Sequence, residues 1–203
     1  MKSFILVPDS FKGTISSTEI CTIMERAILK NLPDSKIVSI PVADGGEGSV
    51  DAFLSALGGD KIALDVTGPF NEPVCGFYGI LHDGTAIVEM AAAAGLPLAK
   101  GRENPERATT YGVGEIIAAA AENAKSIIIG LGGSATNDGG TGAAAALGVK
   151  FFDFHGNTFI PVGGTLKNIA RIDMSNLNSK VKRTNITIMC DIDNPFCGEN
   201  GAA

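Results

Sequence analysis

Three short apolar runs, separated by two stretches of helical spacing, fill the first 67 residues and constrain the fold more than any other feature. Residues 4–7, FILV, precede Pro8 and predict a buried strand. Ile20, Ile23, Met24, Ala27 and Ile28 then recur at helical spacing, and Leu32 closes the pattern before Pro33. Ser16 and Glu19 supply a capping box at the start, with Ile15 and Ile20 as a hydrophobic staple. Residues 36–42 predict a second strand. Val50, Phe53, Leu54 and Leu57 predict a second helix that ends at Gly58, capped by Asp44 with Glu47 three residues on. Residues 61–67, KIALDVT, alternate and predict a third strand. Strand and helix in alternation with short connections specify a parallel sheet with right-handed crossovers. Residues 1–70 are therefore expected to form the first part of a doubly wound α/β domain.

The pattern changes after Gly68-Pro69. GFYGIL and TAIVEM flank the turn His82-Asp83-Gly84, which predicts a hairpin and so a second α/β domain with a mixed sheet over residues 71–203. The following AAAAGLPLAKGRENP is rich in small and turn-forming residues. Thr110 to Ala124 predicts a helix, Ser126 to Ile129 a strand, and AAAAL before Gly148 a further helix. Val149 to Phe152 and Ile186 to Met189 predict two more strands.

Composition narrows the function. Of 203 residues, 45% are hydrophobic and 19% charged, which excludes disorder as the main state. The formal charge of −6 argues against non-specific nucleic-acid binding. Cys21, Cys75, Cys190 and Cys197 form no CxxC pair, and no His lies near Cys190 or Cys197, so they are expected to be buried or inert thiols rather than zinc ligands. The apolar run near the N-terminus is too short for a signal peptide. The richest stretch, Ala86 to Ala99, is broken by Glu89, Gly95 and Pro97, so no membrane span is expected. A cytoplasmic protein follows. His82 and His155 sit in turn signals without a nucleophile partner, which leaves hydrolase triads unsupported.

Four segments carry chemistry. Six of the thirteen residues from Gly130 to Gly142 are Gly, with a strand leading in and a helix leading out. Such a loop lets successive N–H groups converge on an oxyanion, although tight packing alone also favours glycine. Gly130 to Ala135 fits a loose dinucleotide-binding pattern, with Asp153 where the ribose-binding acid would fall; a Walker A loop is absent. Pro8-Asp9-Ser10-Phe11-Lys12-Gly13 follows the first strand, where Lys12 could neutralise an anion or simply be solvated. Asp44 and Glu47 lie among three glycines after the second strand, suited to Mg²⁺, to a polyol or to helix capping. Asp191 and Asp193 follow the last strand, as base and metal ligand or as polar loop residues before Pro195.

PDSFKG, ADGGEGS, VTGP, IIIGLGGSATNDGGTG and CDIDNP occur in the order found in the class I, bacterial-type glycerate kinases, and the chain resembles that family along essentially its whole length. Ser49 stands where the family commonly has Thr, which keeps the hydroxyl. The resemblance implies ATP-dependent phosphorylation of D-glycerate with Mg²⁺, giving 2-phosphoglycerate, with 3-phosphoglycerate as the alternative product. It also implies two α/β domains, the first Rossmann- or flavodoxin-like, with the active site in the cleft between them. Family members are longer, and their C-terminal part returns to complete the first domain, so this sequence reads as an N-terminal portion. On this reading Gly132, Gly133 and Ser134, with Thr136, Asn137 and Asp138, hold phosphates. Lys12 neutralises transferring charge, Asp191 and then Asp193 is the base, and Asp9, Ser10, Asp44 and Glu47 face substrate. Asp44 and Asp193 are the Mg²⁺ candidates. The expected partners are glycerate and ATP, with neither nucleic acid nor membrane, and with self-association of the chain. The competing readings are an NAD-dependent oxidoreductase using Gly130–Ala135 and a catalytically inactive small-molecule-binding fragment.

Overall fold

The computed structural model describes residues 2–11 and 13–201. Strand β1 (Ser3–Leu6) is followed by helix α1 (Ser17–Asn31) and strand β2 (Lys36–Ser39), and β1 and β2 pair in parallel. The expected capping box is present: Ser16 Oγ accepts the Glu19 N–H at 3.2 Å, and Glu19 accepts the Ser16 N–H at 3.0 Å. Ser17 ties the two strand ends together, donating its hydroxyl to Pro8 O at 2.7 Å and accepting the Val42 N–H at 3.0 Å.

Helix α2 (Ser49–Leu57) departs from expectation at its start. Its N-cap is Gly48 at φ 91°, with no side-chain cap. Asp44 is not the cap; its Oδ1 accepts the Gly46 N–H at 3.0 Å and closes a turn before the helix begins. A second departure concerns the third strand. Strand β3 (Gly59–Thr67) does not extend the parallel pair but runs antiparallel to β4 (Pro73–Leu81) over nine residue pairs. The connection from Gly68 to Glu72 is too short for the crossover that a parallel partner requires, and the Gly68 N–H bonds to Glu72 O at 2.6 Å to close it.

The hairpin continues from β4 into β5 (Thr85–Glu89). Two single-turn helices, α3 (Ala91–Ala94) and α4 (Leu96–Ala99), occupy the small-residue segment that follows. Helix α5 (Tyr111–Ala121), strand β6 (Ser126–Gly130), helix α6 (Thr141–Ala146), strands β7 (Lys150–Phe152), β8 (Thr158–Phe159) and β9 (Arg171–Asp173), and finally β10 (Asn185–Met189) complete the chain. A five-stranded sheet has the order β10-β6-β5-β4-β3, and β5, β6 and β10 are mutually parallel. A small antiparallel sheet, β8-β7-β9, stands apart from it.

The alternation of β5 explains its unbroken apolar run. Ala86 and Val88 join Val113, Ile116 and Ile127 in the core under α5, while Ile87 joins Val50 and Leu81 under α2. Both faces of the strand are covered, so both must be apolar. Burying a side chain such as Ile116, which is fully enclosed, stabilises by about 1.5–3 kcal/mol. Gly112 and Gly114 let α5 close on Thr67 and on α6, since a Cβ at either would collide with backbone there. The β1–β2 pair, in contrast, leaves Ile5 and Val38 exposed. No described helix is long and apolar enough to cross a membrane.

Candidate functional site

Glu89, Gly130 and Met189 stand in one register row at the carboxyl ends of the three parallel strands β5, β6 and β10. This is the edge at which open α/β sheets bind ligands. The Gly-rich loop springs from Gly130, and the segment carrying Asp191 and Asp193 springs from Met189.

Two glycine loops meet here backbone to backbone. The Gly132 N–H donates to Gly45 O at 3.1 Å, and the neighbouring Leu131 N–H donates to Met189 O at 3.2 Å. A Cβ on Gly130 would collide with the Gly45 carbonyl oxygen, and one on Gly132 would stand 2.8 Å from the Gly46 Cα and N. These two glycines are therefore required by the crossing of the chains. Gly133 is different: at φ 75° it needs glycine for its backbone conformation, while a Cβ would meet only Ala91 Cβ at 3.5 Å and Glu47 N at 3.7 Å. Among the described residues the N–H groups of Gly133 and Ser134 have no protein acceptor. Neighbouring free N–H groups of this kind are able to converge on an anion.

The rest of the loop is held from within. The Ala135 N–H bonds to Ala94 O, and the Leu96 N–H to Gly133 O, at 2.8 and 2.9 Å. Ser134 Oγ lies 2.6 Å from Thr136 Oγ1 and accepts the Thr136 N–H at 3.0 Å. Asp138, expected to face a ligand, is instead buried at 1% exposure. Its Oδ2 accepts the Thr110 N–H, the Thr110 hydroxyl and the Gly142 N–H, and its Oδ1 accepts the Gly140 N–H, at 2.8–3.1 Å. Four donors saturate this carboxylate, so Asp138 supports the loop and its oxygens are not turned to a ligand. Asn137 is half-buried beside it, and its carbonyl oxygen lies against Gly163.

A cleft of about 820 Å³ opens between the loops after β1 and β2 and the face of the mixed sheet. Ser10, Glu47, Asp51 and Glu89 are among its polar lining. Asp9 is exposed, and its Oδ1 accepts the Ser10 N–H at 2.7 Å. Lys12, the expected cation, lies outside the described residues. Asp44 and Glu47 are both exposed beside buried Gly45 and Gly46. Asp191 and Asp193 are exposed on irregular chain, which then passes the Gly-rich loop: a Cβ on Gly139 would lie 3.5 Å from Phe196. Among the described residues no three His, Cys, Asp or Glu side chains gather into a metal cluster. Cys21 is buried, and the thiols of Cys75, Cys190 and Cys197 are exposed and unpaired.

The dinucleotide reading fails on topology. Asp153 sits in the turn between β7 and β8, where its carboxylate accepts the His155 and Asn157 N–H groups. A ribose-binding acid would end a parallel strand beside β6, but the neighbours of β6 are β5 and β10.

Glu89 shows in the sequence only as an interruption of an apolar stretch. It is buried at 1% exposure, and its Oε2 accepts the Ser49 N–H at 2.9 Å. Burial pushes its carboxyl up to about 7, against the opposing pull of the Val50 and Ser49 N–H groups. The available signal was an acid at the end of a strand apolar on both faces.

Fold and site together define an α/β protein that presents a glycine-rich loop, crossed by a second glycine loop, at the carboxyl edge of parallel strands. The glycerate kinase family model matches residues 4–203. A glycerate kinase of Bacillus subtilis (strain 168) is 45% identical over 201 residues, which is 98% of this chain and 53% of the relative. A glycerate 2-kinase of Escherichia coli (strain K12) is also 45% identical, over 98% of this chain and 53% of its own. The crystal structure of a putative glycerate kinase 2 from Salmonella typhimurium LT2 superposes with a TM-score of 0.83 at 39% identity, covering 100% of this chain and 56% of that one. The chain belongs to the glycerate kinase family, and it spans about half the length of the curated relatives it matches.

Proposed function

We propose that the protein phosphorylates D-glycerate from ATP, giving 2-phosphoglycerate. The observation that carries this reading is the meeting of the Asp44–Gly48 and Gly130–Gly142 loops at the carboxyl ends of β5, β6 and β10. Family membership and the name of the Escherichia coli relative, a 2-kinase, support the reaction and the choice of hydroxyl.

Phosphoryl transfer asks mainly for positioning and for charge neutralisation. The Gly133 and Ser134 N–H groups hold phosphate oxygens, with Ser134 and Thr136 hydroxyls beside them. Lys12 neutralises charge, and Ser10, Asp9 and Glu47 orient the glycerate. The acceptor hydroxyl oxygen forms the new bond to phosphorus as the bond to ADP breaks, and Asp191 takes the hydroxyl proton; Asp193 is the second choice. Asp44 and Asp193 offer the hard carboxylate oxygens that suit Mg²⁺, which needs only one or two of them beside phosphates and waters. When bound, the ion would offset charge on the phosphates.

We also propose a two-domain organisation, with the β1–β2 pair opening one domain and the five-stranded sheet, which takes β3 out of the expected 1–70 unit, forming the other. The protein is expected to be cytoplasmic. The deciding experiment is ADP release by the full-length gene product with ATP, Mg²⁺ and D-glycerate. Glycerate-dependent release with a phosphoglycerate product supports the reading; no turnover with glycerate overturns it.

A further inference from the structure

A continuous chain of contacts runs from the mixed sheet into the glycine crossing. Glu89 Oε2 accepts the Ser49 N–H at 2.9 Å. The same N–H lies 3.3 Å from Gly46 O, and the Ser49 hydroxyl donates to that oxygen at 2.7 Å. Gly46 in turn packs its backbone on Gly132, where any Cβ would meet it at 2.8 Å. On the other side Glu89 is in register with Gly130, the root of the Gly-rich loop. One buried carboxylate therefore touches the first turn of α2 and stands beside the origin of both loops. Along β5 its neighbours are apolar, so nothing in the core calls for an acid at this place.

We propose that Glu89 is a positioning residue, a latch that fixes the Asp44–Gly48 loop against the Gly-rich loop with a grip set by its charge. The ionised carboxylate is the stronger acceptor and favours the positive end of α2; the neutral acid holds Ser49 less firmly. Among the described residues the charged groups that face it are few. Asp51 on α2 pushes the carboxyl up, and Lys61 on β3, paired with Asp51 at 2.9 Å, pulls it down. Glu47 lines the same cleft, and β6 contributes only Gly130. Burial outweighs these and brings the change of charge to about 7, within the working range of a cell.

The use of this latch in glycerate phosphorylation rests on the function proposed above, so the test reads the loop directly. In the full-length gene product, the amide resonances of Ser49 and of residues 45–48 are followed across pH by NMR in the wild type, Glu89→Gln and Glu89→Asp. Gln keeps an oxygen that accepts the Ser49 N–H but cannot ionise. The expected result is a shared titration of these amides near 7 in the wild type, absent from Glu89→Gln and displaced in Glu89→Asp. In parallel, the KM for D-glycerate should follow that titration in the wild type and lose it in Glu89→Gln. Amides that titrate identically in Glu89→Gln, or a titration confined to Ser49 with residues 45–48 unmoved, would overturn the latch. If the amides titrate as expected while no glycerate is phosphorylated, the latch stands and the glycerate reading falls.

Discussion

Gly132 donates its N–H to the carbonyl oxygen of Gly45, so two loops more than eighty residues apart in sequence are joined at the point where neither can carry a side chain. Glycines that look alike in the sequence thus do different work, and substitutions separate them.

Gly132→Ala and Gly133→Ala should differ in kind. At 132 the new Cβ meets backbone atoms of Gly46, so the crossing must open, and denaturant unfolding should show a loss of at least about 2 kcal/mol, in the range for overpacking. At 133 the space is nearly open and the cost is the left-handed backbone, about 1–2 kcal/mol. Binding of ATP, followed by calorimetry, should fall with Gly133→Val by more than its stability loss explains. Equal losses of stability and affinity would make that position a packing site.

Asp138→Asn should cost about 1–3 kcal/mol, the range for leaving a buried polar group without its hydrogen-bond partner. The amide nitrogen would face backbone donors where a carboxylate oxygen now accepts four hydrogen bonds in all with its partner. Urea melts measure this, and a variant within 1 kcal/mol of wild type, less than a single net hydrogen bond typically varies, would refute it.

Glu89 makes stability depend on pH in a stated direction. Its carboxyl is raised from 4.5 to about 7 in the folded chain, so the folded state holds the proton more tightly than the unfolded one. The favourable contribution is complete below 4.5 and is lost as pH rises through about 7. Relative to Glu89→Gln, the wild type should therefore lose up to about 3 kcal/mol across that window, at roughly 1.4 kcal/mol per pH unit. Parallel melting curves for the two proteins at every pH would contradict this.

Asp191→Asn should lower kcat by about 10²–10⁴-fold while changing KM little, because a base acts in the transition state. The assay is glycerate-dependent ADP release by the full-length gene product. Near wild-type kcat would make Asp191 a structural residue and pass the role to Asp193.

Local signals in the sequence are legible where local physics decides. The Ser16–Glu19 capping box, the turn at Asp83-Gly84 and the strand–loop–helix frame around Gly130 each depend on neighbours in sequence. The sequence misleads where a distant partner decides. KIALDVT alternates equally well for a parallel or an antiparallel strand, and only its pairing with β4 settles the matter. Asp44 has the spacing of a cap, yet the helix starts later because Gly45 and Gly48 adopt left-handed φ values. Asp138 looked like a ligand contact because Thr110, its main partner, lies on another element. Glu89 was invisible as a site residue because its role requires β5, α2 and β6 to be assembled around it.

The strand order of the five-stranded sheet also sets an order of assembly. β3, β4 and β5 are consecutive hairpin partners, whereas β6 must return across residues 90–125 and β10 across residues 131–184. Local pairings close with little loss of chain entropy and distant ones close late. The meander from Gly59 to Glu89 is thus expected to fold as a nucleus onto which the parallel strands dock. The glycine crossing, which needs β6 and β10 in place, then matures last. Pulse-labelled hydrogen exchange would see β3 and β4 amides protected before those of β10, and the reverse order would place the nucleus among the parallel strands instead.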